Sequence, residues 1–168
     1  MKDSVFFYVK LILLIIILIA LQSSAILSIF EVNPDLILIL TLLFNLEFGE
    51  YKGMFFGFIV GLIEDSVSSV FLGLNSFVLT FLSWFLSFYK KYIFVSDIFS
   101  FSIFLTISTI IKYVLYIFFY WIFHTELLGW FLIVRLAGEI IYNLLFGAGM
   151  YLLIPFILKR KSEIFYTR

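Results

Sequence analysis

Five charged side chains stand inside long apolar stretches, and their signs and spacing are the first chemistry the sequence offers. Glu64 and Asp65 end one such stretch, Lys112 interrupts a second, and Arg135 and Glu139 fall within a third. A charge held in hydrocarbon is expensive unless it is paired or faces a cavity. Arg135 and Glu139 are spaced i and i+4, which puts them on one helix face, and Asn143 continues that face. Lys112 then needs an acid, either Asp65 or Glu139. The reading is a buried polar cluster of Asp65, Lys112, Arg135 and Glu139. Such a cluster suits a structural clamp or a proton path. The lack of repeats or interrupted half-helices favours the clamp, and Lys112 alone could instead snorkel to the interface.

Other chemistry is poorly served. The chain has no cysteine, which removes disulfides, thiol redox steps and cysteine metal sites. Its one histidine, His124, has no serine or cysteine neighbour and reads as an interfacial loop residue. No G-x-S-x-G, phosphate loop, H-E-x-x-H or dinucleotide fingerprint occurs. No enzyme, metal or cofactor is expected. Basic and acidic residues balance at 11 each, so charge gives no sign of a nucleic-acid partner.

The elements that must hold these charges are helices in a membrane. Of 168 residues 64% are hydrophobic and 13% charged, against about 45–50% and 25% in soluble domains. A crossing helix needs about 20 apolar residues. That ruler predicts an all-α, polytopic membrane protein, one domain over 1–168, with spans at 5–28, 34–48, 53–69, 74–89, 97–123 and 137–158. The second and fourth are short. The stretch from Glu126 to Leu136 reads as a segment lying at the interface, before the last span. Pro34 suits a first helical position, and Pro155 falls where few later hydrogen bonds depend on it. Lys2 and Lys10 before an apolar run resemble a signal peptide. Apolar sequence continuing to Phe30 favours a retained helix instead.

Lysine and arginine fall in alternate connections: Lys2 and Lys10, then Lys52, then Lys90 and Lys91, then Lys159, Arg160, Lys161 and Arg168. The opposite connections hold Glu31, Asp35, His124 and Glu126. By the positive-inside rule, six crossings leave both termini cytoplasmic and set the five buried charges in the outer half of the bilayer. Trp121 and Trp130 flank the last outer connection, as an aromatic belt would. The basic tail reads as a solvated anchor beside anionic lipid.

Gly49, Gly53, Gly57 and Gly61 stand four residues apart. On a helix they make one stripe, and small residues at that spacing let membrane helices approach closely. A contact within the chain is expected, with Ala20, Ser24 and Ser28 of the first span as a candidate partner stripe.

The order of motifs resembles a known family. Asn33-Pro34-Asp35-Leu36-Ile37-Leu38 is followed by the glycine ladder, Phe58, Leu62 and Asp65, then Phe71-Leu72-Gly73-Leu74-Asn75. This P-D-L-x-L, G-x-x-x-G-x-x-x-G-F-x-x-G-L-x-x-D, L-G-x-N series resembles the rod shape-determining protein MreD family, over about Leu21 to Phe77. Past Phe77 only length and hydropathy agree. The resemblance implies a non-enzymatic subunit of the bacterial cell-elongation complex in the cytoplasmic membrane. Its partners would be the single-span MreC, and through the complex the actin-like MreB and the peptidoglycan synthases. It implies a bundle like the six-helix S-components of energy-coupling vitamin transporters, and such a subunit is the alternative function. The signature positions Pro34, Asp35, Gly53, Gly57, Gly61, Asp65, Gly73 and Asn75 would define the fold, with Asp35 and Asn75 suited to cap helix starts.

Overall fold

A computed structural model of the chain describes residues 2–24, 26–28, 32–68, 71–90, 97–123 and 129–158. His124, Glu126, Lys91 and the basic tail from Lys159 lie outside these residues. Among the described residues the chain is all-helical, with six helices: α1 (Lys2–Ser23), α2 (Leu36–Phe48), α3 (Glu50–Ser68), α4 (Leu74–Lys90), α5 (Ile98–Ile122) and α6 (Gly129–Leu158). Three contain segments long and apolar enough to cross a membrane, at Val5–Ser23, Ile98–Ile122 and Leu132–Ile154.

The second helix is the axis of the bundle. Leu36–Asn45 is buried throughout, and α2 touches α1, α3, α4 and α6. A helix apolar on every side is covered either by other helices or by lipid, and α2, thirteen residues without an amphipathic face, takes the first course as a core element. The first helix is the opposite case. Leu11, Ile15 and Leu18 face inward, while Ile12, Leu13, Ile16 and Ile17 are each more than half exposed. Water would penalise so large an apolar face; lipid does not.

The glycine stripe is a close helix contact within the chain. A Cβ at Gly61 would sit 2.5 Å from Ser76 Cα, and one at Gly57 would sit 3.0 Å from the Leu79 carbonyl oxygen, so α3 lies backbone to backbone on α4. At Gly53 the missing Cβ leaves room for the side chain of Asn45. That amide donates to the Ser83 carbonyl at 2.7 Å and accepts from Ser87 Oγ at 3.1 Å, tying α2 to α4. Gly49 is not a rung of this ladder. It separates α2 from α3 at φ +86°, a left-handed turn that glycine adopts without strain. The partner surface is α4, not the Ala20–Ser24–Ser28 stripe: Ala20 and Ser24 are exposed, and Ser28 lies beyond the helix.

Helices α1 and α3 each start three residues before expectation, at Lys2 and Glu50, and three other boundaries differ. Helix α1 stops at Ser23 rather than Ser28, and the Ser24 hydroxyl turns back to the Leu21 carbonyl at 2.9 Å. Helix α2 starts at Leu36, not Pro34, because Asp35 is its N-cap and accepts from Leu38 N–H at 2.9 Å. Helix α6 is continuous from Gly129 for 30 residues. The segment over 126–136 and the span over 137–158 are therefore not separate elements within the described part. No proline interrupts the helix before Pro155, and Gly138 is packed against Val32.

Candidate functional site: a charged cavity at one end of the bundle

All six helices contribute to one cavity of about 730 Å³. Its wall takes Gln22 from the end of α1, Asp35 from the start of α2, and Glu64 and Asp65 from the end of α3. Asn75 comes from the start of α4, Tyr116 and Tyr120 from late in α5, and Arg135 and Glu139 from early in α6. Ends and starts alternate, so successive helices run in opposite directions. The cavity lies at the end of the bundle away from the start of α1 and the end of α6.

Lys112 is the centre of the charged floor. Its Nζ donates to Asp35 Oδ2 at 2.6 Å and to Glu139 Oε1. The second oxygen of Glu139 accepts from the Tyr113 hydroxyl at 2.7 Å. Asp35 divides its carboxylate, one oxygen on Lys112 and the other on Leu38 N–H. The Asp35 N–H donates to Asn143 Oδ1 at 2.7 Å, and Asn143 Nδ2 donates to Thr109 Oγ1 at 3.0 Å. Residues from α2, α5 and α6 are thus joined by hydrogen bonds whose charged members are all buried. Buried ion pairs survive in a low-dielectric interior when the remaining lone pairs are also satisfied, and this arrangement meets that condition.

Asp65 stands apart from Lys112 and does different work. Its two oxygens accept from the N–H groups of Gly73, Asn75 and Ser76 at 2.9, 3.0 and 3.2 Å. These are donors at the start of α4, which have no partner in their own helix. The carboxylate also lies at the positive end of the α4 dipole. Asn75 is therefore a residue of α4 whose N–H is capped, and not itself the cap. Its side-chain oxygen accepts from the Tyr116 hydroxyl. Gly73 takes φ +96°, which lets the loop present its N–H to Asp65.

Of the four residues expected in one cluster, Lys112 and Glu139 do meet. Arg135 lies on the cavity wall but is exposed, and Asp65 is engaged by backbone. The second acid on Lys112 is Asp35, which sequence reasoning assigned only to a cap. Gln22 belongs to the site as well, although its sequence context marks only the end of the first span. It bridges three elements, donating to Glu64 Oε1 at 2.8 Å and accepting from the N–H groups of Leu36 and Ile37 at 3.0 and 3.3 Å. A lone glutamine near the end of an apolar helix, with no obligation to be there, was the signal available.

No protein-family model matches the chain, and no curated protein or solved structure is significantly similar to it. Among the described residues, no group of three or more His, Asp or Glu is placed to hold a metal ion.

Proposed function

We propose that the chain is a non-enzymatic scaffold subunit of the bacterial cell-elongation complex, similar to MreD, acting as a six-span bundle in the cytoplasmic membrane. The observation that carries this reading is the use made of the motif residues. Gly57 and Gly61 admit the backbone of α4, Asp65 binds the loop of Gly73 and the start of α4, and Asp35 both starts α2 and pairs with Lys112. These positions pack, cap and pair the helices of the bundle, which is what a scaffold requires. Short α2 fits a six-span arrangement because it is enclosed by other helices and need not match the lipid thickness alone. In this reading the termini are cytoplasmic and the cavity faces outward. A partner such as the single helix of MreC lies on an exposed apolar face of the bundle, held by close helix packing.

The test is co-purification from membranes with an MreC-like single-span protein. Firm recovery of that partner is expected, and its loss on substitution of exposed positions such as Ile12 and Ile16 would map the docking face. Failure to recover it under conditions where the chain remains monodisperse overturns the reading. Gly57→Leu serves only as a misfolding control, since its side chain would meet the α4 backbone.

A second reading, the substrate-binding subunit of an energy-coupling vitamin transporter, is favoured by the cavity, whose volume of about 730 Å³ suits a small molecule. Tight binding of a vitamin by the purified chain, with no partner recovered, would select it.

A further inference from the structure

The wall of the cavity has more carboxyl groups than basic side chains. It carries the carboxyl groups of Asp35, Glu64, Asp65 and Glu139 against two cations, Lys112 and Arg135. Lys112 is shared between Asp35 and Glu139, and Asp65 is satisfied by backbone N–H groups. Glu64 is held through Oε1 by a neutral amide, that of Gln22. The side-chain oxygen of Asn33, another wall residue, is buried without a hydrogen-bond partner. A carboxyl without a matching charge and an orphan acceptor in one cavity are costly when no donor reaches them. Both ask for a cation rich in N–H groups. Tyr116, Tyr120 and Phe71 line the same space, and aromatic faces favour an organic ammonium.

The rim narrows the class further. Val67 of α3 and Ile117 of α5 line the cavity and are also exposed, so part of its border is an apolar surface of the kind that meets lipid. Arg135 of α6, exposed and on the wall of the same cavity, carries a guanidinium fork of the kind that suits phosphate. We propose that the cavity binds the headgroup of an aminophospholipid. The ammonium lies by Glu64 and Asn33, the phosphate at Arg135, and the acyl chains pass over Val67 and Ile117. A volume of about 730 Å³ lies within the range of roughly 300–1,000 Å³ usual for small-molecule sites. The proposal rests on the cavity and is independent of partner recovery.

The full chain, purified in mild detergent and stripped of lipid, is offered phosphatidylethanolamine and phosphatidylglycerol of identical acyl chains, and retained adducts are read by native mass spectrometry. Phosphatidylethanolamine is expected to be retained roughly tenfold more, the value of one charge-assisted hydrogen bond. Glu64→Gln and Arg135→Gln should each reduce its retention about tenfold on the same basis. Gly149→Ala, whose added Cβ meets nothing within 4 Å, should keep it. Arg135 is exposed, so its variant remains informative should Glu64→Gln misfold. Equal retention of the two lipids, or retention unchanged in the Arg135 variant, overturns the site. Displacement by an equal concentration of free phosphoethanolamine overturns the lipid in favour of a water-soluble ligand of the same chemistry.

Discussion

Lys112 reaches back across the sequence to Asp35, with Nζ 2.6 Å from Oδ2, and this contact joins the start of α2 to the middle of α5. Removing the cation leaves Asp35 and Glu139 facing each other in a buried site. Lys112→Met should therefore destabilise the protein by about 3–5 kcal/mol, the usual result of breaking one side of a buried pair. Adding Asp35→Asn should recover part of that loss, with a coupling of roughly 0.5–3 kcal/mol. Adding Asp65→Asn should not, because Asp65 and Lys112 share no partner. Thermal unfolding in one detergent of the three single and two double variants measures both couplings. Coupling to Asp65 and none to Asp35 would reverse the assignment.

Asp65 gives a separable prediction. Replacing it by alanine removes the acceptor for three N–H groups at the α4 start. The cost should be about 1–3 kcal/mol, as for buried groups left unsatisfied, and the first turn of α4 should become the weakest part of the bundle. Hydrogen exchange followed by mass spectrometry should show faster exchange at Gly73–Ser76 than in α5. Uniform exchange across both would mean that the carboxylate is not the cap.

Much of this architecture is legible in sequence, and the omissions have specific causes. Hydropathy places six helices and the alternation of basic connections, and opposite sign plus matched depth pairs Lys112 with Glu139. Sequence does not reveal Asp35 as an ion partner because a local motif already accounts for it. A carboxylate has two oxygens, and capping uses only one of them. Arg135 was drawn inward by its i, i+4 relation to Glu139. Four residues overshoot a full turn by roughly 40°, enough to leave a residue near a helix end exposed while Glu139 and Asn143 face the core. Spacing alone points to Ala20, Ser24 and Ser28 as the partner of the glycine stripe. The better signal was the small-residue series Ser76, Thr80, Ser83 and Ser87 on α4, of which Ser76, Ser83 and Ser87 are buried.

The glycine ladder should not respond uniformly to substitution. Gly61→Ala drives a methyl group into the Ser76 backbone at 2.5 Å, where nothing can swing aside. A loss of roughly 1–3 kcal/mol is expected from such overpacking. Gly57→Ala meets the Leu79 carbonyl at 3.0 Å and should lose less. Gly149→Ala, in open space, should be neutral or gain about 0.4–1 kcal/mol from a stiffer unfolded chain. Melting temperatures of the three variants give the order directly, and equal losses at Gly61 and Gly149 would refute the α3–α4 contact.

Topology can be tested with single introduced cysteines, because the chain has no native cysteine to remove first. Tyr51, near the start of α3, is 85% exposed, and Leu72, just before α4, is 83% exposed. They lie near opposite ends of the α3–α4 pair, so a bundle set upright in the bilayer must present them on different sides. Leu72→Cys should react with a membrane-impermeant maleimide applied to intact cells, as the proposed outward-facing cavity would require. Tyr51→Cys should react only after the membrane is opened, because the positive-inside rule predicts a cytoplasmic position for the end that carries Lys52 and Lys90. The reverse pattern inverts the bundle and turns the charged cavity toward the cytoplasm, where a headgroup would have to be drawn from the inner leaflet. Labelling of both from outside would mean that α3 and α4 do not cross the membrane, and the six-span scaffold would fail with them.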